Sequence, residues 1–180
     1  MFKVDHIQVV PSMDLGLVVR QVRYWDKAGT AGGGAYTVGV KMAYLSNGRW
    51  LVMDVKRGRW SSEEREKVIK ETALADGYGT VIRVEQEPGS GGKESAEATI
   101  RNLAGFMVEV DRPVGDKITR ADPFSVQVNS GNVWLLKGDW NKDYLEELAK
   151  FPQSMYKDQV DASSGAFAYL VKKKMVRQLI

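Results

Sequence analysis

The sequence predicts an α/β domain with a mixed sheet, in which three antiparallel strands are followed by strand–helix–strand units. Its 180 residues are enough for one domain with a full core, and its 43% hydrophobic and 27% charged residues are ordinary for a globular protein. Three successive segments between residues 17 and 56 have the two-residue period of strands. After residue 60, helical patterns alternate with short apolar runs, which is typical of βαβ units.

The composition excludes several classes of protein. The chain has no cysteine, which excludes disulfide frameworks and thiolate metal sites. No apolar run approaches the roughly 18–20 residues that a membrane-spanning helix needs. The first six residues are too polar for a signal peptide. We therefore expect neither a membrane span nor a secreted, disulfide-bonded domain.

The first residues are interpreted as a lead-in that precedes the domain. Pro11, Asp14 and Gly16 punctuate residues 1–16. This segment is expected to contribute no core element. The domain itself is then expected to span residues 17–180.

A three-stranded meander is predicted next. Residues 17–25 form an apolar-aromatic run, followed by a glycine-rich loop at 28–34. Residues 36–44 alternate between large apolar and other side chains, and 50–56 form a third run. Between them, the Asn-Gly pair in 46–49 predicts a hairpin turn, because these residues tolerate positive φ angles.

The remaining elements complete the predicted order. Ser61 and Glu64 form a capping box that opens a helix ending near Asp76. The segments that follow are a strand at 80–85, a helix around 96–104, a strand at 106–110, a hairpin built from 125–128 and 133–136, and helices at 141–150 and 155–174. The order βββαβαβ is that of the ribonuclease H-like fold, to which the hairpin would be an addition.

Three acidic residues lie where the predicted elements would bring them together. Asp26 and Glu85 each end a strand, and Asp158 lies near the start of the last helix. Positions 158, 161, 162, 165 and 169 share one face of that helix, and Ala162 and Gly165 on this face would let it approach the sheet closely.

Converging carboxylates repel one another unless cations join them, and hard divalent cations prefer oxygen ligands. We therefore predict that Asp26, Glu85 and Asp158 hold two Mg²⁺ or Mn²⁺ ions, which could activate water and stabilise a leaving oxygen. Glu87 competes with Glu85 as the second ligand. Asp161 is interpreted either as an outer ligand or as a structural residue that binds backbone amides near the helix start. His6 is the only histidine and is expected to be exposed, so imidazole is not the predicted base.

Basic residues are concentrated near the predicted acidic site. Residues 20–60 contain eight Lys or Arg and two acids, although the net charge is only +3. This local excess is more informative about a nucleic-acid partner than the net charge is, because phosphate contacts depend on clustered cations. The candidate contacts are Lys27, Arg49, Lys56, Arg57 and Arg59. A second basic cluster, at Lys172, Lys173, Lys174 and Arg177, lies near the end of the chain.

The motifs around these residues resemble the C-terminal nuclease domain of tailed-phage terminase large subunits. The resemblance is carried by residues 24–28, 84–93 and 157–162, and also by 117–121 and 131–134. It covers about residues 17–170. One departure is Lys157, which stands where family members often have the first of two consecutive aspartates.

The resemblance implies an endonuclease that cuts concatemeric viral double-stranded DNA during packaging, in the host cytoplasm. The three acids of the family would correspond to Asp26, Glu85 and Asp158, while Lys117 and Arg120 would be further DNA contacts. The implied partners are the terminase ATPase domain, the small terminase subunit and the portal protein. The glycine-rich segment 89–94 does not match a phosphate-binding loop. The resemblance therefore implies the nuclease domain alone, with residues 1–16 derived from the interdomain segment.

Two other functions remain compatible with the sequence. One is a different ribonuclease H-like nuclease, such as a junction resolvase, which would prefer four-way junctions to linear duplexes. The other is a catalytically weak DNA-binding or portal-docking module, which would bind DNA without cutting it.

Overall fold

A seven-stranded mixed sheet runs through the centre of the computed structural model, which describes residues 1–29 and 34–178, and side chains only as far as residue 172. The strands are β1 (Gln8–Val10), β2 (Val18–Asp26), β3 (Thr37–Leu45), β4 (Trp50–Gly58), β5 (Val81–Glu85), β6 (Val108–Asp111) and β7 (Val133–Leu136). Their spatial order is β1-β7-β4-β3-β2-β5-β6. Only β3 is antiparallel to its neighbours; every other adjacent pair is parallel. The carboxyl ends of the six other strands therefore lie at one edge.

Five helices cover the two faces of the sheet. They are α1 (Ser62–Asp76), α2 (Ser90–Asn102), α3 (Lys117–Asn129), α4 (Asn141–Lys150) and α5 (Asp158–Gln178). Successive residues of β2 face opposite layers. Tyr24 therefore belongs to the core that includes α3, α4 and α5, whereas Trp25 belongs to the core that includes α1 and Leu103, the residue after α2. The predicted order βββαβαβ is confirmed over β2 to β6.

The local signals that predicted α1 act as expected. The Ser61 side chain accepts a hydrogen bond from the Glu64 amide, and the Glu64 carboxylate accepts one from the Ser61 amide. Gly77 ends the helix with a φ of 84°, a conformation that favours glycine. Both ends of α1 are thus encoded by residues next to them in the sequence.

The small-residue face of α5 also packs as predicted. A Cβ atom at Gly165 would lie 2.2 Å from the Tyr24 ring, so only glycine fits there. Ala162 and Ala166 are fully buried against the sheet. This close approach carries the first turn of α5, with Asp158 and Asp161, to the carboxyl edge of β2.

The predicted hairpin at 125–136 is wrong in its first strand. Residues 125–128 belong to α3, which begins after Asp116 caps the Thr119 amide. The buried positions Ala121, Phe124 and Val128 follow the helical period, whereas Val126 is half exposed. The alternation of Val126 and Val128 resembles a strand period, although the capped turn at Asp116 begins a helix. The second segment, 133–136, is a strand, as predicted.

The first residues belong to the fold, which corrects their interpretation as a lead-in without core elements. β1 pairs in parallel with β7. Phe2 is buried, with its ring 5.8 Å from those of Phe124 and Phe151. A three-residue strand is too short to show a period in the sequence, which is why the analysis missed it. Part of the second basic cluster lies outside the described part of the chain, namely the side chains of Lys173, Lys174 and Arg177. Residues 30–33 of the predicted glycine-rich loop also lie outside it.

Candidate active site

Four carboxylates lie together at the carboxyl edge of the sheet. Asp26 is the last residue of β2, Glu85 is the last residue of β5, and Asp158 and Asp161 lie in the first turn of α5. Burial raises the pKa of Asp26 well above its usual range, and the negative charges of Glu85, Asp161 and Asp158 raise it further. These neighbours identify the cluster, which we call the acidic site.

Glu85 is held from two sides. The Tyr24 hydroxyl donates a hydrogen bond to it at 3.3 Å, and the Arg120 guanidinium lies 3.8 Å from its other oxygen. Burial is the main reason that the pKa of Glu85 is raised, although Arg120 opposes this shift.

Asp111 is a fifth acid at this edge, which the sequence analysis missed. It pairs in register with Glu85 and accepts a 2.6 Å hydrogen bond from the Tyr24 hydroxyl. Arg83 lies 3.1 Å from its other oxygen. The available signal was its position at the end of a strand parallel to β5, the same signal that singled out Asp26 and Glu85.

Asp161 is buried and faces two cations from α3. Lys117 forms an ion pair with one of its oxygens, and Arg120 lies 3.6 Å from the other. Burial raises the pKa of Asp161, while the two cations oppose that shift. Asp161 therefore belongs to the acidic site and does not cap the helix, one of the two roles considered for it.

Glu147 of α4 caps α5 in its place. Its carboxylate accepts hydrogen bonds from the amides of Gln159 and Val160 at 2.7 and 3.0 Å, and from the Gln159 side chain at 2.8 Å. Asp158, just before these amides, accepts a 3.1 Å hydrogen bond from the Tyr36 amide. The first turn of α5 is thus fixed by groups distant in sequence.

The environment of the two candidate second ligands differs. Both residues line a pocket between α1 and α2, together with Lys27, Arg65 and Glu66. Glu85 is also one of the negative charges that raise the pKa of Asp26. This coupling to Asp26 favours Glu85 as the ligand.

The chemistry of the acidic site fits divalent cations, although its present geometry would have to adjust. Among residues 1–29 and 34–178, no group of three or more histidine or acidic side chains is arranged so that it could hold a metal ion as it stands. The oxygen donors are nevertheless those that Mg²⁺ and Mn²⁺ prefer. Burial, together with repulsion from neighbouring carboxylates, raises the pKa values of Asp26, Glu85 and Asp161, and bound cations would relieve that repulsion. Lys117 and Arg120 lie next to the carboxylate oxygens of Asp161, and Arg120 also lies next to those of Glu85.

Two of the predicted DNA contacts lie beside Asp158. The Arg57 and Arg59 guanidiniums lie 3.8 and 4.3 Å from the centre of the Tyr36 ring. Arg59 also donates a hydrogen bond to the Tyr156 hydroxyl. Because the Tyr36 amide binds Asp158, these cations adjoin the acidic site. Lys56 is exposed and lies 3.5 Å from Asp54.

Lys27 is buried, which contradicts its prediction as a DNA contact. Its ammonium group donates hydrogen bonds to the Ser95 carbonyl and hydroxyl and to the Thr99 hydroxyl, at 2.8–2.9 Å. Burial lowers its pKa to about 8. Lys27 therefore ties the end of β2 to α2.

Arg49 also lies away from the acidic site, beside which the DNA-binding surface was predicted. It lies in the turn between β3 and β4, whereas Asp26 pairs with Val38 at the other end of β3. The Arg49 guanidinium stacks 4.9 Å from the Trp134 ring. The turn and the acidic site are at opposite ends of the sheet.

His6 is exposed, as predicted.

A mixed sheet in this strand order, with helices on both faces and acids at the carboxyl edge, defines a ribonuclease H-like domain. Comparison with protein families gives the particular family: the sequence model described as "Terminase RNaseH-like domain" matches residues 23–170. The chain belongs to this family. No curated protein sequence matches the chain.

Solved structures share the fold at low identity. The large terminase nuclease domain of phage P22 is 10% identical, with a TM-score of 0.70 over 96% of this chain and 91% of that one. The large terminase nuclease of thermophilic phage G20c, with bound magnesium, is 14% identical, with a TM-score of 0.64 over 92% and 94% of the two chains. The fowlpox virus Holliday junction resolvase is 12% identical, with a TM-score of 0.52 over 85% and 98%. None of the described helices of this chain is long and apolar enough to cross a membrane.

Proposed function

We propose that this chain is a metal-dependent endonuclease that cuts concatemeric viral double-stranded DNA during genome packaging, with little sequence specificity. The observation that carries the proposal is the acidic site, in which burial, one carboxylate from a strand and two from a helix raise the pKa of a fourth carboxyl group, that of Asp26. Membership of the terminase family supports the packaging role. The likeness to G20c nuclease structures with bound magnesium, zinc and cobalt supports divalent metal use.

Asp26, Glu85 and Asp158 would hold two Mg²⁺ or Mn²⁺ ions, with Asp161 as a further ligand. When bound, such ions lower the pKa of an attacking water and stabilise the leaving oxygen of a phosphodiester. The Tyr24 hydroxyl bridges the Glu85 and Asp111 carboxylates, at 3.3 and 2.6 Å.

The substrate phosphates would bind cations around the site. Arg57 and Arg59 are held in place by the Tyr36 and Tyr156 rings, so they are arranged before DNA arrives. Lys117 is half exposed and could also reach a phosphate. Phosphate contacts of this kind carry no base preference, which agrees with little sequence specificity. The ATPase domain, the small subunit and the portal protein are the proposed packaging partners, in the host cytoplasm.

Plasmid nicking tests the site. With Mn²⁺ or Mg²⁺, the unmodified protein should convert supercoiled plasmid to nicked and linear forms, and Asp26→Asn should reduce the rate at least about 100-fold, because the central oxygen donor is lost. Glu71→Gln, on the exposed face of α1, is the matched control and should cut normally. Equal cutting by the Asp26→Asn protein would refute the assignment.

A junction resolvase is the second candidate, and the likeness to the fowlpox virus enzyme favours it. The same preparation, offered a four-way junction and a linear duplex of equal length, separates the two functions. Preferential cutting of the junction would identify a resolvase. Binding of DNA without cutting, at any metal concentration, would instead identify the DNA-binding or portal-docking module.

A further inference from the structure

Two cations of α3 reach into the acidic site. Lys117 begins α3, and Arg120 follows three residues later on the same face. Lys117 pairs with Asp161, and Arg120 lies between Asp161 and Glu85, at 3.6 and 3.8 Å. The two side chains therefore place two positive charges among four carboxylates.

The contacts of Arg120 differ from those of a structural ion pair in the same protein. Arg23, which ties β2 to α1, donates hydrogen bonds of 2.8–2.9 Å to Asp54 and to both oxygens of Asp76. Among the residues that the structure describes, Arg120 makes only the two longer contacts, and its buried Nε atom has no hydrogen-bond partner there. Its guanidinium is held by charge, without the close geometry that well-fixed arginine–carboxylate pairs show.

The Lys117 side chain is accessible to solvent and can separate from Asp161. About half of its side chain is exposed, at 49%, whereas Asp161 is buried at 2%. The backbone beneath it is fixed independently, because Asp116 accepts hydrogen bonds from the Thr119 amide and hydroxyl. The ammonium group could therefore turn towards solvent without disturbing α3.

We infer that Lys117 and Arg120 are built-in counter-ions of the acidic site, which hold its carboxylates in the metal-free protein and are displaced when divalent cations bind. Metal affinity is then set by competition with these two side chains. This inference depends on the metal site of the proposed function. It also gives α3 a positioning role that is distinct from binding DNA phosphate.

Calorimetric titration with Mn²⁺ in the absence of DNA tests the competition. Lys117→Met keeps the length and apolar stem of the side chain and removes the charge. It should bind Mn²⁺ about tenfold more tightly than the unmodified protein, within the usual range of coupling between binding events. Its melting temperature in EDTA should fall, because Asp161 loses its counter-ion. Lys67→Met, an exposed position on α1, should change neither quantity.

The outcomes separate this inference from the proposed function. Mn²⁺ binding by the unmodified protein, with equal or weaker binding by Lys117→Met, overturns the counter-ion role and leaves the metal site intact. Failure of the unmodified protein to bind Mn²⁺ overturns the metal site, and the competition with it. Arg120→Gln, measured in the same way, gives an independent reading from the second cation and should also bind Mn²⁺ more tightly.

Discussion

Tyr24 joins the helical layer to the acidic edge through one side chain. Its ring lies directly beneath Gly165, and its single hydroxyl hydrogen is shared between Asp111, at 2.6 Å, and Glu85, at 3.3 Å. Burial, with the charges of these acids, raises the pKa of Tyr24 above its ordinary value, so the hydroxyl remains a donor at physiological pH. Packing of α5 and orientation of two acids therefore depend on the same residue.

Glu147 stabilises the first turn of α5 through a single carboxylate. Glu147→Ala would leave the buried amides of Gln159 and Val160 without their acceptor, which costs about 1–3 kcal/mol for each unsatisfied group. We expect a loss of about 2–4 kcal/mol in the free energy of unfolding, measured by urea denaturation. Because the freed turn carries Asp158, nuclease activity should fall even where the protein is folded.

Glu147→Gln is the matched control for this cap. Its amide oxygen can still accept from the backbone amides, so it should retain most of the stability and activity. Alanine and glutamine variants of equal stability would show that Glu147 does not cap α5.

At the scale of elements, α5 depends on one glycine. In Gly165→Ala, the new methyl group would overlap the Tyr24 ring, and the helix would have to move away from β2. We expect a destabilisation of about 1–3 kcal/mol, typical of overpacked cores, together with loss of metal binding as Asp158 and Asp161 are displaced. Thermal melting with and without Mn²⁺ measures both effects.

Gly91→Ala provides the control for that substitution. Gly91 is also helical, but a Cβ there would meet nothing within 4 Å. This variant should be neutral or slightly more stable, because alanine favours helix. If both glycine variants melted alike, close approach of α5 to the sheet would not explain the choice of glycine.

Elements were predictable where their signals are local. The capping box of α1 and the period of β3 each lie within a few residues, so the sequence indicates them directly. The start of α3 also has a local signal, the Asp116 cap. The alternation of Val126 and Val128 nevertheless led to the prediction of a strand at 125–128. The short strand β1 has no such signal, because its pairing with β7 joins residues more than a hundred positions apart.

At the scale of the whole molecule, topology explains which parts of the site could be anticipated. Parallel strands place their carboxyl ends at one edge, which is why Asp26 and Glu85 could be paired from sequence. The contacts of Asp161 with Lys117 and of Glu147 with α5 depend on how helices pack over that edge. No local pattern encodes such contacts, and the burial of Lys27 was missed for the same reason.

The first residues pack against α3, the helix whose Lys117 and Arg120 contact the acidic site. The Phe2 ring contacts Phe124 of α3, and the Asn129 side chain at the end of that helix accepts a 2.8 Å hydrogen bond from the Lys3 amide. Phe2→Ala should therefore cost about 3–5 kcal/mol, as expected for an aromatic side chain lost from a core. For a domain of this size, the melting temperature should fall by about 10 °C. Val9→Ala, at a position with 43% exposure in the same segment, should change the melting temperature little.

A Phe2→Ala protein with an unchanged melting temperature would show that residues 1–16 are a lead-in that the domain does not need. A large fall would instead place the boundary of the folded unit at or before Phe2.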